Sequence, residues 1–496
     1  MDSWDSSTLL IAAPFAAILL LVVYKSSQKR NTSIPAVQGG LPFFGQMFIM
    51  LKGSPWDTMG NWVKDYGTIF RVHLFGSDAV VVADPALLKI ILATKLSVFE
   101  KDLAWTYKPF MVLLGNGLVT SSGASWRHQR TLLANHLKIN ILEEIPGMAL
   151  KAVKRLCVKL DKAKADGTEV EMAAEFRHLT LQVIAETILS LSPEESDQTF
   201  AHMYLPIVEE GNLRTWNPER MYIPTPSWFK FRRDVAKLNN YVEGLVTKRW
   251  ALRQQEAAGG SSRRQDILDK AMSAISPEEW GRAAIVQIRD EVKTFVLAGH
   301  ETSASMLAWS LYELSRQDSG KESLQKLQEE ANIIYSGCKD ASGRICSVPE
   351  RSVLDKLVFS ECCLRESLRK YSPVPTVVRV SNQDVQLNEY SVCKGSTLML
   401  CMQGVHLNPD IWPEPLAYKP ERFLGEIAPY TFIPFIEGPR MCLGQYLSLL
   451  ESKVVLSTLL STYRFEVTNP DDAGLKHPFM VPIIPKIGHF MKIHDI

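Results

Sequence analysis

The stretch from Phe435 to Gly444 reads Phe-Ile-Glu-Gly-Pro-Arg-Met-Cys-Leu-Gly, and the fold has to be arranged around it. It sets one cysteine, Cys442, between two glycines and two residues after Arg440. A glycine-punctuated loop lets the backbone come close to a flat object. A thiolate is a soft ligand for iron, and a cationic neighbour lowers the thiol's pKa. The helix-like run Tyr446 to Leu459 follows at once. Its free N-terminal N–H groups would face the sulfur and favour negative charge there. A lone cysteine in a turn is more often a buried structural residue. The loop therefore needs partners elsewhere in the chain.

At 496 residues the chain is too long for one small core and suits one large domain or a few ordinary ones. Its composition, 46% apolar and 22% charged, is that of a globular protein, and a net charge of +1 gives no reason to expect a nucleic-acid partner. The eight cysteines (Cys157, Cys338, Cys346, Cys362, Cys363, Cys393, Cys401 and Cys442) include no Cys-x-x-Cys pair. That argues against zinc or thioredoxin-type chemistry and for mostly free thiols in a reducing compartment.

Leu9 to Tyr24 is an uncharged apolar run of about 16 residues, at the short end of what spans a bilayer. Lys25 can snorkel to lengthen it, and Trp4 suits the opposite interface. Asp2 and Asp5 precede the run, and Lys25, Lys29 and Arg30 follow it, so the positive-inside rule puts the N-terminus in a lumen and the body in the cytosol. A cleaved signal peptide fits less well, because the charged region follows the apolar run. Residues 1–30 are thus expected to be an N-terminal membrane anchor helix. Ile34 to Gly45, with two prolines and three glycines, reads as a stiff turning linker, a hinge over 31–48 before one large domain over 49–496.

Within that domain the texture is mostly helical. Ile69–Leu74 and Ala79–Ala83 read as a β-hairpin around Gly76-Ser77-Asp78. A helix starts near Ser125 and carries Trp126 and Arg130 on one face, a pairing that suits a carboxylate. Glu169–Leu191 has helical periodicity. Pro218–Trp228 is a proline-rich apolar loop, buried or touching lipid, and Ala257–Arg264 and Ser336–Pro349 read as surface linkers. Ile285–Arg316 is the longest helix, and Ala298-Gly299-His300-Glu301-Thr302 in its middle is poor in helix propensity. Glycine there would admit a flat cofactor, and Glu301 beside Thr302 is the acid and alcohol a proton relay needs. Equally, Thr302 can bond back to a carbonyl one turn earlier. Val353–Arg369 is a further helix with Glu366 and Arg369 on one face. Thr376–Val380, Val392 and Thr397–Cys401 have β character, and Arg379 lies among them. The proline-rich segment from His406 to Phe423 must be held by side chains, with Arg422 the obvious tie.

The spacing Phe-x-x-Gly-x-Arg-x-Cys-x-Gly, filled by Phe435, Gly438, Arg440, Cys442 and Gly444, resembles the haem-ligand signature of the cytochrome P450 family. Ala298-Gly299-x-Glu301-Thr302 resembles its oxygen-activation segment, and Trp126-x-x-x-Arg130 the helix that binds a haem propionate. Glu366-x-x-Arg369 with Arg422 resembles its structural triad, and Arg379 matches a second propionate arginine. The parts occur in the family's order, and the general look is that of eukaryotic microsomal, class II members. Three departures stand out: Ile436 where many members have glycine or serine, Glu437 near the ligand loop, and Ser448 in place of a common alanine.

The resemblance implies a mainly α fold with a small β region and haem b between the Ala298–Thr302 helix and the loop that supplies Cys442 as iron ligand. It implies that Thr302 and Glu301 deliver protons, and that Trp126, Arg130, Arg379 and Arg440 meet the propionates. No flavin or nicotinamide fingerprint is present, so electrons are expected from NADPH through a separate flavoprotein, NADPH-cytochrome P450 reductase, with cytochrome b5 as a further donor. That partner is expected to dock near Arg127, Arg130 and Lys138. The implied reaction is insertion of one oxygen atom of O₂ into a lipophilic small molecule, by hydroxylation or epoxidation of a fatty acid, sterol or other isoprenoid. The implied location is the endoplasmic reticulum membrane, or alternatively a plastid membrane. A haem-thiolate isomerase, dehydratase or peroxide-driven enzyme, and a non-catalytic haem sensor, are the rival readings. Trp105–Leu118, Leu205–Leu213, Phe295–Ala298, Val374–Val378 and Pro478–Val481 are expected to line the substrate pocket.

Overall fold

The computed structural model describes residues 31–136, 139–217, 219–259, 266–316, 318–478 and 480–496. The apolar run Leu9–Tyr24, Lys138, Pro218 and the end of the Ala257–Arg264 linker lie outside them. Among the described residues no helix is long and apolar enough to cross a membrane.

Helices dominate. We label the main ones α1 (Gly123–His136), α2 (Ile139–Asp166), α3 (Met172–Leu189), α4 (His202–Trp216), α5 (Pro226–Gly259), α6 (Arg282–Ser315), α7 (Lys321–Ile334), α8 (Val358–Lys370) and α9 (Gln445–Leu460). α6 runs through the centre and packs on α3, α5, α8 and α9, while α9 packs on α2. Five strands form the principal sheet: β1 (Ile69–Leu74), β2 (Ser77–Val82), β3 (Phe99–Lys101), β4 (Thr376–Ser381) and β5 (Thr397–Cys401), in the order β1-β2-β5-β4-β3. β1 and β2 are the expected hairpin. β2 pairs in parallel with β5, β5 antiparallel with β4, and β4 antiparallel with β3. The edge register sets Lys101 directly opposite Arg379.

Local chemistry explains where elements begin. At α3 the Glu171 carboxylate accepts the N–H groups of Ala173 and Ala174, the capping expected of an acid at a helix start. The single helix expected over Val353–Arg369 is two pieces, Arg351–Leu354 and α8. Glu330 causes the restart, because its carboxylate accepts the N–H groups of Phe359 at 2.7 Å and Ser360 at 2.8 Å and so caps a new helix. The described part of Pro218–Trp228 is not a buried loop. It makes a helical turn at Glu219–Tyr222 and enters α5 at Pro226, leaving Tyr222 and Ile223 exposed. The proline- and glycine-rich stretch after residue 31 is docked on the sheet. Ile34 and Val37 are buried, and Val37 N–H donates to Arg71 O at 3.0 Å.

Candidate functional site

The loop that presents Cys442 is tied by its own backbone. Cys442 N–H donates to Phe435 O at 2.9 Å, and Met441 N–H donates to Gly438 O at 3.0 Å. The turn between them needs two left-handed residues, Ile436 at φ 59° and Gly438 at φ 84°. A Cβ on Gly438 would stand 2.6 Å from Leu92 O, so only glycine fits. Ile436 has no such freedom, and a β-branched residue there is strained. Glu437 turns away to accept the Tyr430 N–H at 3.2 Å. Ser448 donates to Gln445 O inside α9. Cys442 is exposed, in a depression that packed protein surrounds. Burial pushes its thiol up. The backbone groups of Gly444 and Gln445 at the start of α9, and the Arg130 charge, pull it back.

In α6, Ala298 is exposed and Thr302 half-buried, although most of the residues after them on the same helix are buried. Thr294, Ala298 and Thr302 repeat every four residues and share one face. The Thr302 hydroxyl donates to Ala298 O at 2.6 Å. The close approach at Gly299 is made by a neighbouring helix. A Cβ there would meet Ile184 Cδ1 at 2.6 Å, so this glycine lets α3 pack closely on α6. Glu301 also turns from the Thr302 face. Its carboxylate accepts Arg177 Nη2 at 2.7 Å and lies 3.3 Å from His300 Nε2. It borders a cavity of about 190 Å³ lined also by Arg177, Ser305, Ala308, His477 and Lys486. Burial raises the Glu301 carboxyl, but His300 and Arg177 outweigh it and hold the group below its ordinary value. Burial pushes His300 down to about 4, so its ring is neutral near pH 7.

Four cations gather beside these two elements. Trp126 is buried, and the Arg440 guanidinium lies 4.0 Å from its ring centroid. Arg379 is 1% exposed; its Nη1 donates to Val378 O at 2.9 Å, and its Nε has no partner. Lys101, opposite it in the sheet, donates to Val119 O. Arg130 completes the group. Burial lowers all three of Lys101, Arg130 and Arg440, the last to about 10, and Arg379 adds repulsion on both Lys101 and Arg440. Among the described residues no carboxylate forms an ion pair with any of the four. Like charges facing each other across a strand pair are unfavourable, and a buried donor without an acceptor is costly. The arrangement calls for an anion; the paired carboxylates of a haem would fit that need, with the Cys442 thiol as the group that would bind its iron. Lys101 was not visible as a site residue in the sequence; only the β3–β4 register reveals it.

The segment before the loop is held by a paired network. Arg369 is fully buried and bidentate on Glu366, at 2.8 and 2.7 Å, and Arg422 Nε lies 3.4 Å from the same carboxylate. Arg369 also donates to His406 O at 2.8 Å, and Lys419 N–H donates to Glu366 at 2.9 Å. His406, which sequence reasoning did not single out, accepts the Ile433 N–H at Nε2 and meets Ser372 Oγ at Nδ1, both at 2.9 Å. It thereby fixes the entry to the Cys442 loop. Of the five segments expected to line a pocket, Trp105–Leu118, Leu205–Leu213 and Pro478–Val481 meet one another, and the first is tied to α6. A Cβ on Gly211 would touch Phe110 at 3.6 Å, Val481 N–H donates to Asn212, and Asn116 and Leu118 N–H groups donate to Asp290 and Glu291 of α6.

The family model for cytochrome P450 matches residues 35–488. Among curated proteins the chain is similar to cytochrome P450 4c21 of Blattella germanica, 28% identical over 91% of this chain and 92% of that one. It is also similar to the chloroplastic carotene epsilon-monooxygenase of Arabidopsis thaliana, 27% identical over 85% of this chain and 79% of that one. Its fold matches the crystal structure of the cytochrome P450DA heme domain with a TM-score of 0.79, covering 93% of this chain and 97% of the other at 22% identity. The chain belongs to the cytochrome P450 family of haem-dependent monooxygenases.

Proposed function

We propose that this chain inserts one oxygen atom of O₂ into a lipophilic substrate, a fatty acid, sterol or other isoprenoid, with electrons from an NADPH-dependent reductase. The balance is R–H + O₂ + NADPH + H⁺ to R–OH + H₂O + NADP⁺. The observation that carries the reading is the exposed Cys442 thiol on a fixed loop, near a cluster of four cations that pair with no carboxylate among the described residues. When bound, the haem supplies a thiolate-ligated iron for reductive activation of dioxygen. The chain's own residues do the rest. Lys101, Arg130, Arg379 and Arg440, with Trp126, hold the two propionates. Thr302 holds a hydroxyl proton on the open face of α6, while Glu301, paired with Arg177 at the cavity on its other side, stands apart from that hydroxyl, so the resupply of protons to Thr302 falls to water and not to a direct contact with Glu301. Phe110, Met111 and Leu213, on segments that meet, keep water from an apolar substrate.

Apolar surface supports delivery from a membrane. Tyr222, Ile223 and Phe229 are exposed around the start of α5, and Leu41, Phe44 and Phe48 are exposed on the stretch that follows residue 31. With the Leu9–Tyr24 run, this favours the endoplasmic reticulum, the catalytic body facing the cytosol; a relative named as chloroplastic keeps a plastid membrane as the alternative. Binding spectra over fatty acids, sterols and carotenoids, followed by product analysis with and without NADPH and reductase, test the reading. Expected is a product carrying one atom from labelled O₂ only when both are present. Product without NADPH would replace the reading with an isomerase or peroxide-driven enzyme, and ligand-dependent spectra without turnover would replace it with a sensor. Thr302→Ala should keep its haem and raise peroxide release per NADPH several-fold; unchanged coupling would remove Thr302 from the proton path.

A further inference from the structure

We propose that Cys338 and Cys346 form a reversible disulfide when the protein meets a hydroperoxide. The two lie on opposite arms of a short hairpin after α7. Lys339 pairs antiparallel with Ile345, Asp340 N–H donates to Arg344 O at 2.8 Å, and Cys346 N–H donates to Cys338 O at 2.8 Å. That pattern sets Cys338 opposite Cys346, joined by one of the two bonds of a hydrogen-bonded pair, the Cys338 N–H going instead to Tyr335 O at 3.0 Å; in a regular pair of that kind Cα atoms stand about 5.5 Å apart. Disulfides favour a Cα separation of about 5.5–6 Å. Ile345 is buried, so its neighbour Cys346 falls on the outer face and is exposed, while Cys338 is half-buried. Neither is bonded to another cysteine.

The hairpin is held for this pairing. The Asp340 carboxylate accepts the N–H groups of Ser342 and Arg344, and Gly343 turns the chain at φ 82°. Two contacts fasten it to α2: Arg344 is bidentate on Asp161 at 2.6 and 2.8 Å, and Lys154 Nζ donates to Cys346 O at 2.7 Å. Cys346, the exposed member, is the attacking sulfur and the half-buried Cys338 the resolving one. In the first step Cys346–S⁻ attacks H₂O₂, the O–O bond breaks, and Cys346–SOH and hydroxide form. In the second, Cys338–SH attacks that sulfur and water leaves. Two thiols lose two electrons in total, and the peroxide is reduced to two waters once the released hydroxide is protonated.

The full-length haem-loaded protein should be treated with a few equivalents of hydrogen peroxide, alkylated, digested and mapped by mass spectrometry. A Cys338–Cys346 linked peptide that disappears with dithiothreitol is expected. In Cys338→Ser, Cys346 should accumulate as a dimedone-reactive sulfenic acid, several-fold above wild type, with the haem spectrum unchanged. The proposal fails if Cys346 advances to sulfinic acid equally in both proteins. It also fails if peroxide leaves this pair free while other thiols oxidise, or if only diamide closes it.

Discussion

Two buried arginines near the Cys442 loop, Arg369 and Arg379, are equally hidden and differently provided for. Arg369 has a bidentate carboxylate and a carbonyl from His406. Arg379 has one carbonyl, an unpartnered Nε and a lysine opposite. A paired buried charge holds chain segments together, and its loss is expensive. An unpaired one is strained until a ligand completes it. Burial alone does not distinguish a structural charge from a binding one; the count of satisfied donors does.

If that distinction is right, substitutions at the two places should behave oppositely. Glu366→Ala strands Arg369 in the interior and should cost about 3–5 kcal/mol, giving protein that neither folds at 37 °C nor takes up haem, as read by thermal melts and haem content. Arg379→Leu should leave haem-free protein as stable as wild type or more so. It should weaken haem retention by about 1.5–3 kcal/mol, roughly tenfold to a hundredfold, because a charge-assisted hydrogen bond to a propionate is gone. A large loss of haem-free stability would place Arg379 with the structural group instead.

Acid should find the paired region next. Burial, with Arg369 adding to it, pushes His406 down to about 3. Its folded value lies below the unfolded one, so the neutral ring's contribution is complete above pH about 6.5. It is lost as the pH falls from there toward 3, by up to about 1.4 kcal/mol per pH unit. Comparing pH melts of wild type and His406→Ala isolates this share from that of other buried histidines. The smallest effect belongs to Arg422→Lys. Its Nε is 3.4 Å from Glu366 without a good hydrogen bond, so the change should cost under about 1 kcal/mol.

What the sequence revealed of this site was what lies close along the chain. Cys442 and its glycines are within one loop, Glu366 and Arg369 share a turn of helix, and the β1–β2 hairpin is set by its own turn. The residues it did not reveal act across long separations. Lys101 needs the β3–β4 register, Arg177 needs α3 packed on α6, and Glu330 must reach from α7 to start α8. Gly299 shows the same limit from the other side. Its type signalled a close approach, but only packing shows that Ile184 makes it. The departure at Ile436 was legible as an oddity, and the φ of 59° gives it a physical meaning.

The register that sets Lys101 against Arg379 also has a consequence in time. β3 is made early in synthesis and must wait for β4, which emerges only after α8. Cys442 comes later still. Until all three exist there is no complete cradle, so a nascent chain has nothing with which to hold haem firmly. Capture of the cofactor would then belong to the closing stage of biogenesis, and a chain truncated before Cys442 would leave the ribosome with Lys101 and Arg379 facing each other unneutralised.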